Sequence, residues 1–431
     1  MTREYATAGD RDGVSQTDRT DQTTITMVST PDDGSCGIGT YARDLLDGMT
    51  GVDSETVFLP QDDRSIRQFV GLAVRTIRGS GDVIHVQHEY GLFRRDGSKY
   101  PGVMGAVFFP LLFLLSSLRS KRVVVTMHSV LRPSSDEAPF SVRLYLPLMH
   151  KLLASGSAHL VFLSPDCAER FREDIDFAPE EYSVLSHGVK TDVPSMPKAD
   201  AKRQFGIDPD DMVVAIPGFI RPPKGHDIFV EVALHLPECE FLVAGGARPK
   251  GEDFEFADRI RREAPENVTV TGTLDEDDYW TALAAPDLAL LPYRVVTQSG
   301  TFNSCASRKL PVLASDASYF TRIQSKWGTP ETVDVTDTDA VVERVRTLLE
   351  DTVRRRDLAD AMRQYRRANS FEQVGIDHLR IYHHLENASI EELADTGTLD
   401  TSRAESEPAP EIESSARLRA PCSAQRTVTT D

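Results

Sequence analysis

Residues 212–244, MVVAIPGFIRPPKGHDIFVEVALHLPECEFLVA, decide the fold. Met212–Ile216 is a short, continuous apolar run rich in β-branched residues, which reads as a buried strand. A Gly- and Pro-rich loop follows, then a helical pattern from Asp227 to about Leu236. A second apolar run, Glu240–Ala244, closes the unit. A strand, a crossover helix and a strand without polar alternation make a parallel pair covered on both faces. The same alternation continues at Asn267–Val270, Asp287–Leu291 and Pro311–Ala314. It also occurs upstream: Thr24–Ser29, a helix over Tyr41–Met49, then Val83–Val86, Arg122–Met127 and His159–Leu163. The Pro- and Asp-rich stretch Val193–Pro209 reads as a linker between the two series. The expected fold is therefore α/β, with two doubly wound, Rossmann-like parallel sheets facing a central cleft. Ligand belongs in that cleft, at the carboxyl ends of the strands.

Composition bounds the rest. The chain has 431 residues, a formal charge of −19 and 40% hydrophobic residues, a globular mixture whose field repels nucleic acid. Ten lysines stand against 38 arginines and 67 acids, the lysine-poor, acid-rich balance that suits a salt-saturated cytosol; a halophilic source is expected. Five scattered cysteines (Cys36, Cys167, Cys239, Cys305, Cys422) form no CxxC pair, so neither a disulfide framework nor a zinc site is indicated. No metal and no cofactor are expected. The first twenty residues lack an apolar core and read as a disordered N-terminus, and 387–431 as a disordered acidic tail. Between them lie domains at 21–190 and 191–368 and a closing segment at 369–386. Val103–Leu118 is strongly apolar, but Pro110 interrupts it and it falls short of the roughly 18–20 residues that span a bilayer. It reads as a buried helix, or as a monotopic face beside Arg119, Lys121 and Arg122. A cytoplasmic protein, in the second case peripheral at the inner face of the membrane, is expected.

Five strand-end stretches could carry chemistry. Gly34, Gly37 and Gly39 precede a helix expected near Thr40, and such a loop lets backbone N–H groups approach an anion. In His85-Val-Gln-His88-Glu89 a spacing of three on a strand puts the two histidines on opposite faces, which argues against joint metal ligation. His88 and Glu89 are expected to leave the strand end and meet a polar substrate, the acceptor if the chain transfers a group. His128 ends a third strand. In Gly218-Phe-Ile-Arg221-Pro-Pro-Lys224, a proline-fixed loop offers Arg221 and Lys224 as a cationic clamp for a diphosphate leaving group. Gln298-Ser299-Gly300-Thr301 opens a helix whose N–H groups and hydroxyls can receive a phosphate.

In order along the chain, the glycine loop, HVQHEYGLF, TMHSV, VLSHGVKTD (184–192), GFIRPPKGHD, FLVAGG (241–246), VTVTGTLDEDDYW and LLPYR…QSG…LPVLASD resemble the retaining family-4 (group 1) glycosyltransferases of the GT-B fold. The resemblance covers about Thr24 to Leu385. It implies transfer of a sugar from a nucleotide diphosphate-sugar donor to an acceptor, with retention of anomeric configuration. The acceptor could be a lipid-linked saccharide, a polysaccharide or a small molecule. The first domain would hold the acceptor, the second the donor, and 369–386 would form a helix returning to the first. By the same resemblance Lys224 matches a diphosphate-binding lysine, Gly37 a loop glycine, His128 a histidine near the transferred sugar, and Ser299–Thr301 the helix start facing the diphosphate. Gly39 and Gln298 are grouped with these donor contacts. Two departures stand out. Phe219 occupies the place of the family's arginine after the strand glycine, with Arg221 two residues on. The family's pair of glutamates falls on Val296 and Ser304, and no Asp or Glu occurs from Leu288 to Ser315. A catalytically silent protein of the same fold, binding nucleotide-sugar or a partner enzyme, is the alternative this second departure leaves open.

Overall fold

A computed structural model describes residues 23–34, 36–95, 102–131, 140–173, 175, 181–247 and 253–395. The N-terminal twenty residues, Cys422 and the tail beyond 395 lie outside the described residues. The first sheet orders its strands β2-β1-β3-β4-β5-β6, all parallel. These are β1 (Thr24–Ser29), β2 (Asp53–Phe58), β3 (Val83–His88), β4 (Arg122–Met127), β5 (His159–Phe162) and β6 (Tyr182–Val184). Their crossovers are α1 (Gly37–Asp47), α2 (Ile66–Arg78), α3 (Gly105–Ser117), α4 (Phe140–Gly156) and α5 (Pro165–Glu173). The buried side chains of α2, α3 and α4 share one core with β3 and β4 residues such as Ile84 and Val125. On the other face α1 and α14 (Phe371–Asp395) pack Tyr41, Leu45, Phe371 and Tyr382 against Ile25, Val124 and Val161.

The second sheet, ordered β12-β11-β10-β7-β8-β9, is also all parallel. Its strands are β7 (Val213–Pro217), β8 (Glu240–Ala244), β9 (Val268–Val270), β10 (Leu288–Leu291), β11 (Val312–Ser315) and β12 (Glu331–Val333). The helices are α6 (Lys198–Gln204), α7 (His226–Leu234), α8 (Phe254–Glu263), α9 (Glu276–Ala282), α10 (Gly300–Arg308), α11 (Ser318–Trp327), α12 (Thr338–Glu350) and α13 (Thr352–Ala368). Strand order reverses between β1 and β3 in one sheet and between β7 and β10 in the other. Loops leaving those strands splay apart there and open a crevice for ligand.

Three expectations change. The linker at 193–209 contains α6, whose Lys202 is buried because its ammonium donates to the carbonyls of Pro209 and Asp211 and pairs with Asp287. Helix α1 begins at Gly37 rather than near Thr40, so two of the three loop glycines lie inside its first turn. Helix α14 continues to Asp395, nine residues into the segment expected to be disordered; its Glu, Leu and Ala are good helix formers.

Candidate functional site

In the second domain the crevice lies between the loops after β7 and β10. Gly218 follows β7 with φ +94, a conformation that favours glycine. A Cβ there would stand 2.7 Å from Lys224 Nζ and 3.1 Å from Thr301 Oγ1. Those two side chains therefore meet over bare backbone: Lys224 Nζ donates to Thr301 Oγ1 at 3.2 Å. Lys224 also lies over the Tyr293 ring, 5.7 Å from its centroid. Gly225 (φ +71) fixes the turn into α7, where a Cβ would collide with the Pro292 carbonyl at 2.1 Å. Gly300 is the first residue of α10, so an amide-rich helix end faces the same crevice as the lysine.

The other residues of these two loops separate into different roles. Ser299 Oγ caps α10 by accepting from Phe302 N–H at 3.1 Å, which commits the hydroxyl to the helix. Gln298 Oε1 is buried with no partner. Arg221 departs from its expected place beside Lys224: its Nε donates to Asp253 at 3.3 Å, the two prolines between sending the side chains apart. Val296 is buried in the apolar core and Ser304 Oγ donates to Gly300 O, so neither position supplies a carboxylate.

In the first domain His128 follows β4, and its Nε2 lies 2.8 Å from Gln87 Oε1. Burial holds its pKa well below the usual imidazole value, and charge on His187 and His88 would depress it further. Tyr41 of α1 presents its ring to both His128, at 4.9 Å, and His187, at 4.8 Å. His187 reaches Gly300 of the second domain, where an added Cβ would be 3.7 Å from the imidazole. Asn303 fixes His187 by donating to its carbonyl at 2.7 Å, and Tyr365 holds Asn303 in turn at 2.9 Å. Contacts thus run continuously from His128 through Tyr41 and His187 to the α10 start. Sequence reasoning passed over Tyr41, His187 and Tyr293. His187 lay inside the quoted VLSHGVKTD segment, while Tyr41 read as the first turn of an ordinary helix.

Two residues of the first domain correct the sequence reading. His88 is the last residue of β3 and is 2% exposed, stacked on Phe93 at 5.3 Å and edge-on to Tyr90 at 4.9 Å. Strand alternation turns it to the face opposite Gln87 and His128, away from the expected acceptor contact. Burial lowers its pKa to about 3. Gly39 packs rather than opens: a Cβ would meet the Pro31 carbonyl at 2.2 Å, whereas Gly37 faces open space. Glu89 stays at the strand end, where Ser129, the residue after His128, donates to it at 2.6 Å.

Across the cleft, Glu276 of α9 pairs with Lys190 at 2.7 Å and with Arg43 of α1 at 3.5 Å. On the other side Ser318 donates to Asp166 at 2.8 Å, and Arg322 pairs with Glu169 at 2.7 Å. Among the described residues no three potential metal-ligating side chains cluster.

Residues 197–368, the second sheet with its helices, match the family model for glycosyl transferases group 1. The match covers the second sheet and leaves the first sheet outside it. D-inositol 3-phosphate glycosyltransferase from Mycobacterium sp. (strain KMS) is 32% identical over 120 residues, 26% of this chain and 27% of that protein. The corresponding Mycobacterium tuberculosis (strain F11) protein is 34% identical over 121 residues, 26% of this chain and 25% of that one. The match thus spans about a quarter of the length of these relatives. Sucrose-phosphate synthase from Thermosynechococcus elongatus superposes with a TM-score of 0.67 at 16% identity, covering 85% of this chain and all of that one. Anabaena Alr3699/HepE in complex with UDP and glucose gives 0.64 at 12% identity, covering 84% and 100%. The chain therefore has the GT-B fold across both of its sheets.

Proposed function

We propose that the protein transfers a glycosyl group from a nucleotide diphosphate-sugar to an acceptor, with retention at the anomeric carbon. The observation that carries this reading is the meeting of Lys224 Nζ with Thr301 and the α10 start over Gly218, with His187 of the first domain beside Gly300. Chemistry at an anomeric carbon is limited by the leaving group, here a diphosphate that gains charge as its bond to the sugar breaks. A fixed ammonium and a helix N-terminus at that oxygen stabilise the departing charge without rearranging. Thr301 orients the ammonium. Gln298 Oε1, buried and without a partner, would accept a hydroxyl of the donor's sugar or ribose. Gly37, exposed at the uncapped start of α1, would bring backbone N–H to the same ligand. Glu89, positioned by Ser129, is the acceptor-side carboxylate. Support for a nucleotide donor comes from the UDP and glucose held by Anabaena Alr3699/HepE. Retention is what the resemblance to the retaining group implies, and in such a reaction the departing phosphate can take the acceptor's proton itself.

One observation favours a second reading: Val296 and Ser304 stand where two acids would contact sugar and ribose. A silent protein of this fold would bind the donor and stop. Incubation with labelled nucleotide-sugars and a panel of acceptors separates the two. Release of nucleotide diphosphate with an axial-to-axial or equatorial-to-equatorial product by NMR is the expected result. Donor binding without release across salt conditions would establish the silent reading.

A further inference from the structure

The outer side of α2, α3 and α4 takes no part in the reaction. Their inner stripes, including Phe69, Phe108, Leu112 and Leu153, are buried against the first sheet. Outside, Leu114 is 60% exposed, Leu118 73%, Leu144 61% and Leu148 60%. Helices α3 and α4 lie side by side, because Gly105 abuts Met149 and Gly156 abuts Phe113. Those contacts set the exposed leucines toward the two ends of one face, with the partly buried Val107, Leu111 and Leu152 between them.

The charge on this face is opposite to that of the protein. Residues 66–78, 105–122 and 142–156 contain no Asp or Glu, where the chain's own frequency would place about seven. They carry exposed Arg67, Arg75, Arg78, Arg119 and Arg143 and half-buried Lys151. An all-basic, leucine-tipped face on a chain of net −19 asks for an apolar partner with negative charge at its surface. A second copy docked face to face would set these arginines against their own images. A bilayer meets both demands: leucine side chains enter between headgroups, and arginines around them reach lipid phosphates. No described helix is long and apolar enough to cross a membrane.

We propose that this face docks the protein on an anionic lipid bilayer. Helices α3 and α4 each begin where a strand delivers the chain to the cleft side, so docking would bring the rim of the first domain, near Leu144, to the lipid surface. The test is co-sedimentation of the full chain with phosphatidylcholine vesicles containing phosphatidylglycerol, and with phosphatidylcholine alone. Pelleting with the first and several-fold less with the second is expected at moderate salt. The double variant Leu114→Glu/Leu118→Glu should lower the bound fraction on the order of tenfold while melting like wild type. Leu144→Ser/Leu148→Ser probes the same face without added charge, and Arg119→Gln/Arg143→Gln should weaken binding only to the anionic vesicles. Wild-type protein that stays in the supernatant with both vesicles overturns the proposal. So do variants that pellet like wild type, or a dimer in sedimentation equilibrium that the leucine variants dissolve while vesicles bind nothing. Because binding needs no donor, these outcomes are independent of whether the protein turns over a sugar.

Discussion

The two switch points differ in what they leave uncovered. In the second domain, glycine at 218 removes the side chain that would separate Lys224 from Thr301, and the resulting gap is lined by a cation and helix amides. In the first domain the strand ends are filled: His88 stacks into a phenylalanine cluster, and Tyr41 closes over His128 and His187. One half is built to stabilise charge arriving with a ligand, the other to hold imidazoles neutral and orient them.

The largest expected effect is on acid stability. Burial lowers the pKa of His88 to about 3 and of His150, His187 and His378 to about 4, against about 6.5 unfolded. These bases gain protons only on unfolding, so their stabilisation is complete above pH ~6.5 and is lost as pH falls toward ~4. At about pH 5.5 each would cost about 1.4 kcal/mol, roughly 5–6 kcal/mol together, a large share of a typical domain's stability. All four pack with the first sheet or the segment leaving it, while His226, also near 3, is the corresponding group of the second. Hydrogen exchange across an acid titration should show β3, β4 and α14 opening before β7 and β10. Simultaneous loss would mean that the halves do not differ in this way.

Next comes Lys224→Ala. Removing one preorganised donor at a developing charge costs on the order of a hundredfold in turnover, while folding should be nearly unaffected. Lys224→Arg should restore part of the rate, since a planar fork does not reproduce a compact ammonium over Thr301. Donor consumption and melting temperature are measured on the same preparations. A normally melting Lys224→Ala with wild-type turnover would remove the leaving-group role and leave the fold alone as common ground with group 1 enzymes.

A smaller effect separates two glycines that look equivalent in sequence. Gly39→Ala pushes a methyl into the Pro31 carbonyl and should lower stability by about 1–3 kcal/mol, as overpacking does. Gly37→Ala meets nothing and should leave melting unchanged. Equal effects would show that the α1 start adjusts. The contrast also marks what the sequence could convey. The central strands were legible because burial on both faces makes them continuous apolar runs; β2, DSETVF, is a half-exposed edge strand whose mixed pattern carries no such signal. Lys224 and the α10 start were legible because Gly and Pro fix loop geometry locally. The direction of Arg221 was not, since it depends on Asp253, thirty-two residues on. Nor was His187, which matters only once the chain folds back to set it beside Tyr41 and Gly300.

The smallest expected effect is at His88, and its smallness is the point. A histidine after an apolar run in this fold invites an acceptor role, yet β3 continues through it and alternation buries the ring with Phe93 and Tyr90. Its Nδ1 has no hydrogen-bond partner, so replacing the ring removes a buried polar atom that nothing satisfies. Methionine is of similar volume, flexible, and packs well against aromatic rings. His88→Met should therefore keep turnover within a few-fold of wild type, melt within about 1 kcal/mol of it, and lose slightly less stability in acid, because one neutral imidazole has gone. Its companion Glu89→Gln keeps the Ser129 contact but removes the charge, and should raise the KM for acceptor while donor affinity holds. If His88→Met instead fell a hundredfold with KM for acceptor rising, the imidazole would reach the cleft after all, and the contrast between a filled and an open switch point would have to be withdrawn.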